Sequence, residues 1–295
     1  MGQRTIAEVV SCEGIGLHSG KFARVTLLPA PPETGVVLTR VDRPGAQPIA
    51  LQPGVVTSTR FATSLGSGDD GVGTVEHLLA ALYGLGIDNL FLKISGSEVP
   101  ILDGSARPFV ALLRGAGVVE QNCPRARFRV TRSVEVRDGE RFVRVSPSRG
   151  LRASVCVDFP HPRIGRQKFE FDLDDPEFFE REIAPARTFG FLAEIEAMRA
   201  EGFAIGGSRA NAIVLDDHDV LNRDGLRWPD EFARHKALDL IGDLATLGVR
   251  LEGRLEVERG GHRLHQDLVA QLGTILTGGG DDTRAMQSAR VEPGL

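Results

Sequence analysis

Residues 74–85 read Thr74-Val75-Glu76-His77-Leu78-Leu79-Ala80-Ala81-Leu82-Tyr83-Gly84-Leu85, and the period of their apolar residues decides the fold class. Val75, Leu78, Leu79, Leu82 and Leu85 recur with the spacing of one face of an α-helix. Thr74 stands where an N-cap is expected, and Glu76 falls in the first turn, where the helix dipole favours negative charge. Upstream the period is different. Residues 22–28 and 35–39 are aliphatic, β-branched runs bounded by Gly and Pro, which read as strands and turns. Downstream come a strand over 90–94, a turn-rich segment and a short helix over 106–115. The pattern breaks at Gln121-Asn122-Cys123-Pro124, where we expect a domain boundary.

The second half repeats the order. Strand-like runs over 127–136, 141–145 and 151–159 lead to a helix over 191–201 and a turn at Gly206-Gly207-Ser208. A strand over 212–215 and an amphipathic helix over 229–247 follow. One echo links the halves: His77 precedes Gly84 by seven residues, and His235 precedes Gly242 by the same interval. The expectation is an α+β protein of two domains, 1–123 and 124–277, with a Gly-, Asp- and Arg-rich tail over 278–295 that frays.

Composition narrows the function. The 295 residues carry 35 Lys+Arg against 40 Asp+Glu, a net charge of −5 that argues against a protein coating nucleic acid. With 41% hydrophobic and 25% charged residues the chain has a globular, not a disordered, composition. No run of about 18 apolar residues exists to span a membrane. The N-terminus, Met1-Gly2-Gln3-Arg4-Thr5-Ile6, lacks the apolar core of a signal peptide. Cys12, Cys123 and Cys156 are odd in number and never form a C-x-x-C pair, which fits reduced thiols in a cytoplasm.

The chemistry concentrates in Glu231-Phe232-Ala233-Arg234-His235-Lys236-Ala237-Leu238-Asp239-Leu240-Ile241-Gly242-Asp243. His235, Asp239 and Asp243 stack at i, i+4 and i+8 on one helix face, and two such carboxylates repel unless a cation lies beside them. A histidine one turn from a carboxylate suggests a divalent metal, although such pairs also occur on ordinary solvated faces. Glu76-His77 shifts the balance. Neighbouring helical residues point about 100° apart, so His77 can ligate while Glu76 faces a water held there. Two imidazoles and one carboxylate form a common catalytic zinc sphere with an open position, and the glutamate then serves as general base. His262, after Gly260-Gly261, is available as proton donor if a carboxylate such as Asp243 orients it; His265 shares its face if a helix starts there. Each of these residues also has a plain reading, as core histidine, first-turn glutamate or surface turn. Ala186-Arg187-Thr188-Phe189-Gly190-Phe191 sets a hydroxyl between a cation and an aromatic without a packing period. Gly206-Gly207 makes a tight turn that a substrate could approach.

These stretches together, with Gly86-Ile87-Asp88-Asn89, Glu98-Val99-Pro100-Ile101-Leu102-Asp103-Gly104-Ser105-Ala106, Asn211-Ala212-Ile213-Val214 and Gly261-His262, resemble a known family from about Thr5 to Leu276. It is the UDP-3-O-acyl-N-acetylglucosamine deacetylase family, zinc enzymes of the committed step of lipid A biosynthesis in Gram-negative bacteria. The resemblance implies two α+β domains of similar topology, packed helix layer to helix layer, with a β-α-β insert over about 188–214. It implies one Zn2+ per chain on His77, His235 and Asp239, with Glu76 as general base, His262 as general acid and Asp243 orienting it. Thr188 is implied as oxyanion donor and Lys236 as diphosphate contact, with Asp158 and Phe159 at the uridine. Phe189, Phe191, Ile195, Ala204 and Ala212 are implied to line an acyl passage, and Gly207 and Arg259 to lie near substrate. The partner is then a nucleotide-sugar lipid and the chain a monomer. Four positions depart from the family pattern: His265 for the usual Asn, Arg259 for the usual Lys, the Arg209-Ala210-Asn211 turn, and Arg60 where an apolar residue is frequent. Alternatives are a zinc amidohydrolase for another acylated sugar, or a catalytically silent binding homologue.

Overall fold

The computed structural model describes residues 2–278. The first half runs β1 (Gly2–Ile6), β2 (Val10–Ile15), β3 (Phe22–Pro29), β4 (Val36–Arg40), β5 (Ile49–Ala50), β6 (Val56–Ser58), β7 (Ser64–Leu65), α1 (Glu76–Leu85), β8 (Leu90–Ser95), α2 (Arg107–Gly115) and β9 (Val118–Pro124). Five strands form a sheet in the order β2-β3-β8-β4-β5. Burial in β8 alternates strictly, so one face of the sheet meets the core and the other meets water. β4 and β8 lie parallel, and the crossover between them carries α1. All ten residues of α1 are buried, not only its apolar stripe, as expected of a helix covered on every side. It ends at Gly86, whose φ of 69° is the left-handed C-cap conformation that glycine adopts without strain.

The second half runs β10 (Arg127–Arg129), β11 (Val134–Asp138), β12 (Arg141–Ser146), β13 (Leu151–Phe159), β14 (Gly165–Asp172), one-turn α3 (Pro176–Phe178), β15 (Phe189–Phe191), α4 (Leu192–Ala200), β16 (Ile213–Leu215), α5 (Glu231–Ala245), β17 (Arg250–Glu258) and α6 (His262–Thr277). Its sheet has the order β11-β12-β17-β13-β14, with β10 added on β17. Helix α5 packs on β13 and β14, and α6 on β11 and β12. β15 and β16 pair in parallel around α4, a small β-α-β unit. Among the described residues no strand of either large sheet pairs across residues 124–127. The apolar core nevertheless runs unbroken from Val25 and Leu92 through Leu78 and Leu82 to Leu240 and Val155.

Helices α1 and α5 meet where Gly242 lies against the backbone of Glu76. A Cβ at 242 would stand 2.1 Å from the Glu76 carbonyl oxygen, so no larger residue fits without separating the helices. Gly84, its partner in the sequence echo, serves a different contact: the ring of Phe179, 2.3 Å from a Cβ there. The echo does not mark two equivalent contacts.

Several sequence expectations need correction. Thr74 is not the cap of α1; Val75 is, with no side-chain cap bond. Thr74 instead takes a φ of 54°, strained for a β-branched residue, and its hydroxyl donates to Glu98 Oε1 at 2.8 Å. The run 127–136 is two strands. β10 pairs with β17 and β11 with β12, so the chain must turn between them. Residues 121–124, where the sequence pattern breaks, are the end of β9, which pairs with β1. The turn at Gly260-Gly261 opens directly into α6, whose first residue is His262. Beyond Gly278, the expected tail lies outside the described residues.

Candidate functional site

His77 is the second residue of α1, and His235 and Asp239 are one turn apart on α5, so the α1–α5 crossing brings all three together. Their ligand atoms lie within 4.8 Å of one another. His235 Nε2 is 3.3 Å and His77 Nε2 3.8 Å from Asp239 Oδ1. The two imidazoles meet edge to face, with centroids 5.1 Å apart. His235 Nδ1–H donates to the Ala186 carbonyl at 3.1 Å, which leaves Nε2 as the free lone pair. Lys236 Nζ donates to Asp239 Oδ2 at 2.8 Å, whereas Oδ1 is buried with no hydrogen-bond partner.

Protonation suits ligation. Burial, with His235 beside it, pulls His77 down to about 3, so its imidazole is neutral at physiological pH. Burial also lowers His235. Burial opposes ionisation of Asp239, but His235 and Lys236 outweigh it and hold the carboxyl well below the usual range. Two neutral imidazoles and a carboxylate oxygen that lacks a partner fit a divalent ion with one position left open.

Beside this triad sits a second polar cluster. Glu76 is buried; its Oε2 accepts from the Thr63 amide at 3.1 Å, and Oε1 lies 3.9 Å from His262 Nε2. Burial pushes the Glu76 carboxyl up to about 7, against the pull of His262. Across from it, His262 Nδ1–H donates to Asp243 Oδ2 at 2.8 Å. Burial would lower His262, but the charge and hydrogen bond of Asp243 prevail, with Asp239 and Glu76 adding to them, and raise it to about 10. Burial likewise opposes ionisation of Asp243, and its histidine neighbours reverse that and bring it to about 2. Thr63 Oγ1 donates to Asp243 Oδ1 at 2.5 Å. Nothing in the sequence singled Thr63 out, since it lies in an irregular loop far from α5 in the chain.

The segment 186–189 adjoins the triad at two points: the Ala186 carbonyl holds His235, and the Phe189 ring lies 6.2 Å from the His235 ring. Arg187 is fastened to the fully buried Glu231 through its amide, Nε and Nη2. Thr188 is pinned by backbone bonds from its amide to the Gly104 carbonyl at 2.8 Å and from Ile213 to its own carbonyl at 2.7 Å. Glu231 and its pairing with Arg187 escaped sequence reading because its spacing is that of any first-turn acid.

Two hollows flank this segment. The first, about 370 Å3, is an apolar groove that includes Thr188, Phe189, Phe191, Ile195, Ala204 and Ala212. Gly207 lines this groove too, as does His18, which the sequence reading passed over. Glu98 holds the His18 loop by accepting from the amides of His18 and Ser19, both at 2.8 Å. Arg60 stacks on Phe61 and Phe203 near the groove and pairs with Glu201. The second hollow, about 460 Å3, is a polar cleft whose lining includes Asp158, Phe159, Lys236 and Arg259. Lys236 Nζ stands 5.3 Å over the Phe189 ring, between the two. Phe159 packs edge-on against Phe189, with centroids 5.5 Å apart. Asp158 faces Arg166 at 3.9 Å. Arg259 has a φ of 48°; its Nη2 pairs with Glu140 at 2.6 Å and its buried Nε has no partner. His265 lies in neither hollow: it is buried against Asp243.

No helix among the described residues is long and apolar enough to cross a membrane. A family profile described as UDP-3-O-acyl N-acetylglycosamine deacetylase matches residues 3–274. The chain is 50% identical over 272 residues to the UDP-3-O-acyl-N-acetylglucosamine deacetylase of Nitratidesulfovibrio vulgaris, covering 92% of this chain and 88% of that protein. It is 47% identical to the proteins of the same name from Acidithiobacillus ferrooxidans and Myxococcus xanthus. Those alignments cover 92% of this chain and, respectively, 89% and 86% of the relatives.

Proposed function

The chain belongs to the UDP-3-O-acyl N-acetylglycosamine deacetylase family, and from that premise we propose that it removes the N-acetyl group of a UDP-3-O-acyl-N-acetylglucosamine as acetate, in lipid A biosynthesis. The observation that carries the reading is the convergence of His77, His235 and the unpartnered Oδ1 of Asp239 beside the opposed pair Glu76 and His262. We assign one Zn2+ per chain to that triad. Such an ion, when bound, supplies Lewis acidity, polarising an amide carbonyl and acidifying water.

The remaining steps fall to the chain's own groups. Glu76, held near neutrality by burial, takes a proton from the attacking water. His262, cationic through Asp243, gives a proton to the departing amine. The Thr188 hydroxyl, on a backbone fixed at both its amide and its carbonyl, donates to the oxygen that becomes negative. Lys236 and Arg259 bring positive charge to the cleft where the diphosphate lies, with Asp158 and Phe159 at the nucleoside. The acyl chain lies in the apolar groove beside Phe189, Phe191, Ile195 and Gly207.

We take one chain as the working unit and place it in the cytoplasm, in keeping with its free cysteines. We divide it into residues 1–123 and 124–277, with the unit over about 188–214 as an insert in the second. The test is acetate release from the UDP-acyl-sugar, with and without chelator, across acyl-chain lengths. Turnover that stops with chelator and returns with Zn2+ is expected; no turnover on any chain length overturns the reading.

A further inference from the structure

Asp243 is fully buried and receives three donors. Thr63 Oγ1 occupies Oδ1 at 2.5 Å; His262 Nδ1 and His265 Nδ1 both occupy Oδ2, at 2.8 and 2.7 Å. An ionised carboxylate only accepts, so both imidazoles present an N–H from Nδ1 to the same oxygen. His262 turns its Nε2 toward Glu76. His265 turns its Nε2 into the protein, where it is buried with no partner. Among the described residues its one polar tie through the ring is therefore Asp243.

The His265 ring also supports the backbone that carries His262. A Cβ at Gly260 would stand 2.9 Å from His265 Nε2, so the ring lies directly against the Gly260-Gly261 turn. The His265 amide closes the first turn of α6 on the Gly261 carbonyl at 3.0 Å. The two rings stand nearly perpendicular, with centroids 6.4 Å apart.

We infer that His265 is a positioning residue of the reaction: its δ-nitrogen donates to the Asp243 oxygen that also holds His262, and so fixes where that carboxylate aims the proton donor. The inference rests on His262 acting as the acid. Other charged or titratable groups face His262 as well: Glu76 and His77 from α1, His235 and Asp239 from α5, and His18 from the loop after β2. Of these groups and Asp243, Asp243 is the one to which His265 donates. Without the second donor the carboxylate is freer to rotate and is a stronger base toward His262, which then releases its proton less readily.

The distinguishing feature is the atom. Nδ1 of histidine and Nδ2 of asparagine are each bonded to Cγ, whereas the glutamine amide lies one carbon further out. His265→Asn can still donate to Asp243; His265→Gln and His265→Leu cannot do so from the same point. The experiment compares the metal-loaded full chain with H265N, H265Q and H265L by pH profiles of kcat and KM for acetate release. Imidazole NMR titration of His262 without substrate accompanies it. We expect H265L and H265Q to lose about tenfold in kcat with KM little changed. Their His262 titration and alkaline limb move up by about one pH unit, while H265N keeps the wild-type limb. A wild-type profile in H265L, or a loss in H265N equal to that in H265L, overturns the inference. Where the larger changes prevent folding, the wild-type spectrum decides: His265 and His262 must both show hydrogen-bonded Nδ1–H resonances, and absence of the former is a refutation. Should the wild type release no acetate, the functional reading fails, and the His262 titrations of H265N and H265L still decide the coupling.

Discussion

Glu76 and His77 are adjacent in the chain, and the rotation of one helix sends the first toward His262 and the second toward Asp239. That division makes their substitutions separable. Glu76→Ala should keep bound metal and lower acetate release by about 10²–10⁴-fold, the usual worth of a positioned general base. His77→Ala should instead lose metal, read as substoichiometric Zn2+ after dialysis. The pH profile follows from the same environments. Glu76 must be ionised to accept a proton, and a nearby cation lowers it from about 7, so kcat/KM rises with pH below neutrality. His262 must be protonated to donate, and the same cation lowers it from about 10, so kcat/KM falls again on the alkaline side before that pH. Glu76→Ala should abolish the rising limb; its persistence would sink the base assignment. At this scale the sequence offered Glu76, His77, His235 and Asp239 as candidates, because Glu-His and His-x-x-x-Asp together suit a metal site, and the fold brings ligand atoms of the last three within 4.8 Å of one another. The sequence could not name Thr63 or Glu231, ordinary residues whose importance comes only from what folds against them.

Helices α1 and α5 owe their separation to a glycine. With a Cβ at 242 only 2.1 Å from a backbone carbonyl, Gly242→Ala must push the helices apart, at a cost of about 1–3 kcal/mol or more. The oxygen it strikes belongs to Glu76, so the displacement reaches the site. Gly84→Ala, which meets the Phe179 ring, is the control: it should destabilise by a similar amount while losing less activity per unit of stability. Equal activity losses at matched stability, measured by denaturant unfolding and acetate release, would count against the crossing as the element that aligns the site. The helical periods of α1 and α5 were plain in the sequence, since apolar residues three and four apart leave little choice. The start of α6 was not. Gly260-Gly261 reads as a turn, yet the extended backbone of Gly261 runs straight into a helix whose first turn is tied to α5 by the His265–Asp243 bond.

At the scale of the whole molecule α1 packs against α5, α5 and α6 pack on the second sheet, and the candidate metal ligands come from both halves of the chain. In the proposed reading, metal bound there ties the halves together and binds the unfolded chain far more weakly. Chelation should therefore lower the Tm in proportion to the metal's binding free energy, and restoring Zn2+ should recover it. An unchanged Tm on full removal would mean that the triad does not hold the ion. What the sequence determined by itself was local and chemical: the α+β order, the helical faces, the resemblance, and which histidines and carboxylates could act. What only the tertiary structure decided was convergence. His77 and His235 lie 158 positions apart in the chain. The meeting of their rings depends on a crossing set by Gly242, and the direction of the His235 ring on the Ala186 carbonyl; Asp243 does the same for His262. The physical reason is that periodicity records which face of an element is buried, whereas a site needs the mutual placement of faces, and side-chain packing and buried hydrogen bonds between distant segments fix that placement.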